Sequence, residues 1–210
     1  MDEGIFREQM ARWENEYTKK GTIWRGPQSL RLDLPSGGRV LELGCGNGKT
    51  LSALIGRGAQ VCGLDFSPAA IKSCSPLSEW AWLVLADATL LPFVDRSFRT
   101  VLAFHLLEHL SHEGMERCSR EIMRVLVPGG KLLVRALSTR DMRWGKGEEI
   151  ETNTFLSGSG IVTHFFEAEE LGHLFRAFEV RSLREEVKGR LYSGEPVRRA
   201  IVEGEFLLPD

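Results

Sequence analysis

The sequence predicts an α/β fold: a mostly parallel sheet covered by helices on both faces, with reversed pairing at its C-terminal end. Three observations carry that prediction. Short apolar runs alternate with helical segments from residue 38 to 137. Those runs are continuously apolar, as strands buried on both faces are. Beyond them, "EVRSLREEV" and "VRRAIVEGEF" alternate apolar and polar residues, the pattern of an antiparallel pair.

Each element has its own signal. Ile5, Phe6, Met10, Trp13 and Tyr17 recur at helical spacing over residues 4 to 18. "KKGTIWRGP" breaks that pattern and reads as loop. "RVLEL" is a strand bounded by glycines, and "GKTLSALIGRG" a helix closed by Gly56 or Gly58. "AQVCGLD" is the second strand. Ser67 and Pro68 then serve as N-cap and first helical position of "SPAAIKSC". "AWLVLAD" and "RTVLAFH" are strands three and four. A helix around "GMERCSREIMRVL" ends at Pro128-Gly129-Gly130, read as a turn, and "KLLVRAL" is strand five. "DMRWGKGEEIETNTFLSGSG" is polar and Gly-rich and reads as a long loop or insertion. "EAEELGHLFRAF" is a helix, and the terminal strand pair joins the same mixed sheet.

The 210 residues fit one domain. A net charge of -2 and a pI near 6.2 oppose a strongly basic nucleic-acid footprint. The charged N-terminus holds no apolar signal core, and no apolar run is long enough to span a bilayer, so an intracellular, cytoplasmic protein is expected. Cys45, Cys62, Cys74 and Cys118 are scattered without a C-x-x-C pair and read as buried reduced thiols.

The stretch "VLELGCGNGKT" admits three ligands. A triphosphate loop requires glycine at position 43, which is Leu43. A dinucleotide loop requires glycine at position 49, which is Lys49, and Glu42 at the mouth would repel a phosphate. The third ligand is a sulfonium nucleoside. Gly44, Gly46 and Gly48 let backbone approach it, and Glu42 then attracts its positive charge. Asp65 follows the loop by about 20 residues, the offset of a ribose-binding acid in a βαβ unit. Asp87, at the end of strand three, can accept from an adenine amino group, and Phe66 can lie against the ring.

"VLELGCGNGKT", "VCGLDFSPAAI", "LADATLLPF", "FRTVLAFHLLEHL" and "RVLVPGGKLLV" together resemble class I S-adenosylmethionine-dependent methyltransferases, in order and spacing, over residues 38 to about 137. The resemblance implies a three-layer αβα Rossmann-like sheet with a reversed last strand. It implies S-adenosyl-L-methionine as methyl donor and S-adenosyl-L-homocysteine as product. Cofactor contacts are then expected at Glu42, Gly44, Cys45, Gly46 and Asp65, with Phe66, Asp87 and Ala88 around the adenine and His105 beside the transferred methyl. In such enzymes the N-terminal segment often lids the cofactor, which brings in Trp24. The division expected is a lid (1–37), a cofactor core (38–137), an acceptor-side insertion (138–165) and a C-terminal helix and hairpin (166–210).

His105, Glu108 and His109 also spell an inverted zinc-peptidase motif, but no further ligand is identifiable and no metal is expected. His105 is the candidate general base with Glu108 behind it. Glu108 and His109 are otherwise expected to cap or hydrogen-bond the next helix. Trp13 is expected to pack the first helix, His164 to be structural, and at most one of Arg198 and Arg199 to point inward. Few basic clusters appear, so a small-molecule acceptor is expected first and a tRNA base or protein side chain second. A non-catalytic cofactor-binding protein and a nucleotide hydrolase are the readings from other classes.

Overall fold

The computed structural model describes residues 3–20, 37–192 and 195–210. Helix α1 (Glu3–Lys20) precedes β1 (Arg39–Leu43), α2 (Lys49–Leu54), β2 (Gln60–Asp65), α3 (Pro68–Cys74) and β3 (Ala81–Leu85). Then come β4 (Phe98–Phe104), α4 (His112–Val125), β5 (Leu126–Leu137), β6 (Glu148–Glu151), β7 (Thr154–Leu156), β8 (Val162–His164), α5 (Ala168–Leu174), β9 (Glu179–Tyr192) and β10 (Glu195–Leu207). Seven strands form one sheet in the order β3-β2-β1-β4-β5-β10-β9. The first five are parallel, and β10 runs antiparallel to both of its neighbours. The reversed strand is therefore set inside the sheet, with β9 outside it.

Strand alternation divides the apolar side chains between two faces. Leu41, Val101, Leu132 and Val134 meet Ile122 of α4 and Leu171 of α5 on one side. Val40, Leu102 and Leu133 meet Leu51 and Leu54 of α2 and Cys74 of α3 on the other. Helix α4 buries Met115, Cys118, Ile122 and Val125, three or four residues apart, so one stripe faces the sheet. Its start is fixed by Ser111 Oγ, which accepts from Gly114 N at 3.0 Å. Ser67 caps α3 in the same way, with Pro68 in the first turn as the sequence indicated.

Two expectations are corrected. Pro128-Gly129-Gly130 is not a turn before the strand: β5 already pairs at Leu126, opposite Phe98, and its register shifts so that Lys131 faces Thr100. The three residues form an irregularity inside β5, with Gly129 at φ 66 and its N–H bonded to Leu208 O. Residues 148–164 are not a loop either. β6, β7 and β8 form a three-stranded antiparallel sheet. What holds it is burial of Phe155 and Phe165 against Leu137, with Ile201 packed alongside.

The register also places the top of the molecule. Ile201 pairs with Leu137 at the carboxyl end of β5, so residues 195–200 of β10 continue past that end, where β9 is their strand partner and Ser138 N and Met142 N, from the segment after β5, donate to Ala200 O and Arg198 O.

Candidate active site

The carboxyl ends of β1 and β2 meet at the glycine loop. Glu42 and Asp65 are buried there at 3% and 5% exposure. Asp65 Oδ2 accepts from Gly46 N and Oδ1 from Ser67 N, both at 2.9 Å. Burial still raises its carboxyl above the ordinary range against those donors. Burial pushes Glu42 up further, although Thr50 and the Leu51 N–H donate to it. Glu42 Oε2 is buried and has no hydrogen-bond partner among the described residues. Two desolvated carboxylates, one with an open oxygen, fit a cationic ligand and oppose an anionic one.

Helix α1 lies over this loop. A Cβ on Gly46 would stand 2.6 Å from Tyr17 Oη, and Gly46 has φ +54, so only glycine allows the buried phenol so close. Glu14 Oε2 accepts from Ser67 Oγ and from Ala69 N, joining α1 to the start of α3. Farther up α1, Gln9 Nε2 donates to Gly160 O at 3.0 Å and Gln9 Oε1 accepts from Val162 N at 2.9 Å. Cys45 is buried and hydrogen-bonded with Cys74, whose thiol donates to Gly46 O at 3.1 Å. All four cysteines are buried and unbridged.

Phe66 is half-buried beside Asp65, Ala88 is buried, and Asp87 Oδ1 accepts from Thr89 N at 2.7 Å. These three residues share the carboxyl ends of β2 and β3 with Asp65. Trp24 lies outside the described residues.

After β4 the chain turns sharply. His105 has φ 56, in the left-handed region that a non-glycine residue seldom adopts. Its Nδ1–H donates to Glu108 Oε1 at 2.8 Å, while 44% of the side chain is exposed. Glu108 is 1% exposed and its Oε2 has no partner among the described residues. Burial works to raise its carboxyl, but the charge and hydrogen bond of His105 hold it below the usual range. His109 is held below the usual imidazole range by burial. Its Nδ1–H donates to Val162 O at 3.0 Å, and its ring meets Trp13 edge-on at 4.7 Å. The expectation that Glu108 and His109 cap the next helix is thus corrected: Ser111 does that, and the turn 105–110 is held to itself and to β8. Leu106 packs over Gly44, so the turn also borders the glycine loop.

His164 is buried between Thr154 Oγ1 and Glu170 Oε1, both at 2.8 Å, a structural setting. Arg199 reaches inward to Asp141 at 3.0 Å, whereas Arg198 is exposed and donates to Arg140 O. Sequence reasoning singled out neither Asp141 nor Arg143, nor Glu14 as the clamp on α3. The one available hint was the run "STRDMR" directly after strand five, at the end of the sheet where such folds bind ligands.

A seven-stranded sheet of this order, with acidic residues closing its first two strands around a glycine loop, defines a Rossmann-like methyltransferase fold. Residues 41–134 match the family model described as a methyltransferase domain. The family match and the fold together support a class I S-adenosylmethionine-dependent methyltransferase domain. It is 29% identical over 168 residues to a tRNA N(3)-cytidine methyltransferase METTL2 of Danio rerio, covering 73% of this chain and 48% of that protein. It is 34% identical over 117 residues to a demethylmenaquinone methyltransferase of Corynebacterium urealyticum, covering 56% of this chain and 49% of that protein. The chain thus spans about half the length of the curated relatives it matches. Among solved structures, the 1,6-didemethyltoxoflavin-N1-methyltransferase of Burkholderia thailandensis, with bound S-adenosylhomocysteine, superposes with a TM-score of 0.71 at 16% identity, over 97% of this chain and 90% of that one. An S-adenosylmethionine-dependent methyltransferase of Methanosarcina mazei gives 0.69 at 24% identity, over 84% and 95%.

Proposed function

We propose that this protein transfers the methyl group of S-adenosyl-L-methionine to an acceptor held beyond the carboxyl ends of β4 and β5, releasing S-adenosyl-L-homocysteine. The observation that carries this reading is the pair of buried carboxylates, Glu42 and Asp65, with Glu42 Oε2 open. When bound, S-adenosylmethionine supplies a methyl carbon already activated by its sulfonium.

The chain's own residues then bind and orient. Glu42 attracts the cationic methionine portion, and the backbone of Gly44, Cys45 and Gly46 lines it. Asp65 has lone pairs beyond those used by Gly46 and Ser67, and these accept from the ribose hydroxyls. Phe66 and Ala88 flank the adenine, and Asp87 accepts from its amino group. Orientation alone can supply roughly 7–11 kcal/mol of barrier reduction in such a displacement.

Glu108 keeps the His105 proton on Nδ1, which leaves Nε2 as the acceptor atom on the exposed side of the ring. His105 is therefore the proposed general base for an acceptor that must lose a proton. The left-handed backbone of His105 supports a functional role, because strain of this kind collects at active sites.

A small molecule is the proposed acceptor, supported by the α1 and β8 contacts that roof the crevice. A tRNA base is the second reading, favoured by the tRNA-modifying relative that aligns over 73% of the chain. A cytoplasmic location is proposed from the four buried, unbridged thiols; no described helix is long and apolar enough to cross a membrane. Incubation with methyl-labelled cofactor and fractionated extract tests the whole. Label should enter metabolites or RNA, and His105→Ala should lower turnover more than cofactor affinity. Binding of the cofactor without any label transfer would leave a non-catalytic binding protein.

A further inference from the structure

We propose, resting on the methyltransferase reading for its location, that Arg143 and Arg199 form a paired-guanidinium site for an oxyanion, carboxylate or phosphate, carried by the methyl acceptor. Asp141 stands just past the carboxyl end of β5, its side chain 0% exposed. It accepts four hydrogen bonds: from Arg143 N at 3.1 Å and Arg143 Nε at 2.7 Å on Oδ1, and from Arg199 Nε and Ala200 N, each at 3.0 Å, on Oδ2. A carboxylate so filled has no lone pair left to offer a ligand. Burial alone would raise its carboxyl, but the Arg143 guanidinium and the Ala200 N–H keep it below the usual range. Its role is to fix two arginines side by side.

Each arginine reaches Asp141 through Nε, so the terminal amino groups, the part of the fork that matches a planar oxyanion, are not spent on it. Arg143 Nη2 is buried and has no partner among the described residues, a situation that is unfavourable for a charged donor. Two guanidiniums on one carboxylate leave a positive balance. The neighbouring Arg140 is matched by Glu185, and Arg198 adds a further cation.

The place fits an acceptor. Arg143 lies close enough to His109 for its charge to oppose protonation of that ring. His109 belongs to the turn that carries His105 on one side and packs Leu106 over the glycine loop on the other. Arg143 thus stands near the turn that borders the glycine loop. Trp144 follows at once, 46% exposed, as a flat apolar surface beside the charge.

The test uses phenyl phosphate and benzoate as separate probes, titrated by ligand-observed NMR against the protein loaded with S-adenosylhomocysteine. At least one probe should saturate on the wild type, and whichever binds more tightly identifies the oxyanion. Arg143→Met and Arg199→Met should each weaken it roughly tenfold or more, the loss of a charge-assisted hydrogen bond. Arg143→Lys should also weaken it, because a point charge cannot replace the fork. Arg184→Met, on the exposed face of β9, should leave it unchanged. Calorimetric affinity for S-adenosylhomocysteine shows that each variant is folded. Failure of both probes to saturate the wild type, or equal binding by Arg143→Lys and wild type, would overturn the site. Failure of the wild type to bind S-adenosylhomocysteine would instead remove the methyltransferase reading, and the probe titrations on the unloaded protein would still decide the anion site.

Discussion

Replacing Asp65 with asparagine separates its two roles. The carboxylate braces the glycine loop through Gly46 N and the α3 entry through Ser67 N, each at 2.9 Å. Asparagine keeps the shape and one accepting oxygen. Its amide nitrogen then faces one of those backbone donors, so one charge-assisted bond is lost and one N–H is orphaned. Such bonds contribute about 1.5–3 kcal/mol. Burial already disfavours the Asp65 charge, and the neutral amide relieves that, which sets the expected loss near the lower end, about 2 kcal/mol. For a chain of this size that corresponds to a fall in Tm of about 4–8 °C. Cofactor binding should suffer separately, because the ribose hydroxyls lose a charged acceptor. Calorimetry with S-adenosylhomocysteine should show Kd raised roughly 10- to 100-fold. If Tm falls as expected while Kd stays within about twofold of wild type, Asp65 is a loop brace only, and its assignment to the ribose is wrong.

Glu42→Gln tests the buried charge by its pH dependence. The folded-state pKa of Glu42 is raised, so its contribution is present below the unfolded value and is lost as pH rises through the folded one. Denaturant melts should therefore show the variant gaining on wild type as pH rises from the unfolded-state carboxylate range through the raised folded-state value, with weaker cofactor binding; a gap that does not change with pH would contradict this. Gly46→Ala forces a side chain into φ +54 and against Tyr17 Oη at 2.6 Å. The left-handed backbone alone costs about 1–2 kcal/mol, so a loss no larger than that would mean that α1 does not pack here. Glu108→Gln should lower kcat more than it raises KM and should reshape the pH–rate profile, since an amide no longer enforces the Nδ1–H tautomer of His105. An unaltered profile would show that Glu108 only fills space.

The parallel core was legible because β1 to β5 are apolar runs punctuated by Gly, Pro and capping Ser, each a local signal. Asp65 and the glycine loop were legible because one βαβ unit fixes their spacing. The small sheet of β6 to β8 was not. Its strands are short, one reads Glu-Glu-Ile-Glu, and their apolar partners Leu137 and Ile201 lie in other elements of the chain. The arginine pair was hidden for the same reason: Asp141 and Arg199 are 58 residues apart and meet only because β10 turns back along β5. Glu108 behind His105 could be read from a three-residue interval, but the attachment of His109 to Val162 depends on where β8 lies.

Helix α1 is tethered at two distant points, by Gln9 to the strand hairpin and by Glu14 to the threshold of α3. A rigid rod fastened twice cannot lift from one anchorage without straining the other. On the proposed function, uncovering the donor loop would shift the roof above the acceptor with it, so that both ligands would gain or lose passage through one shared movement.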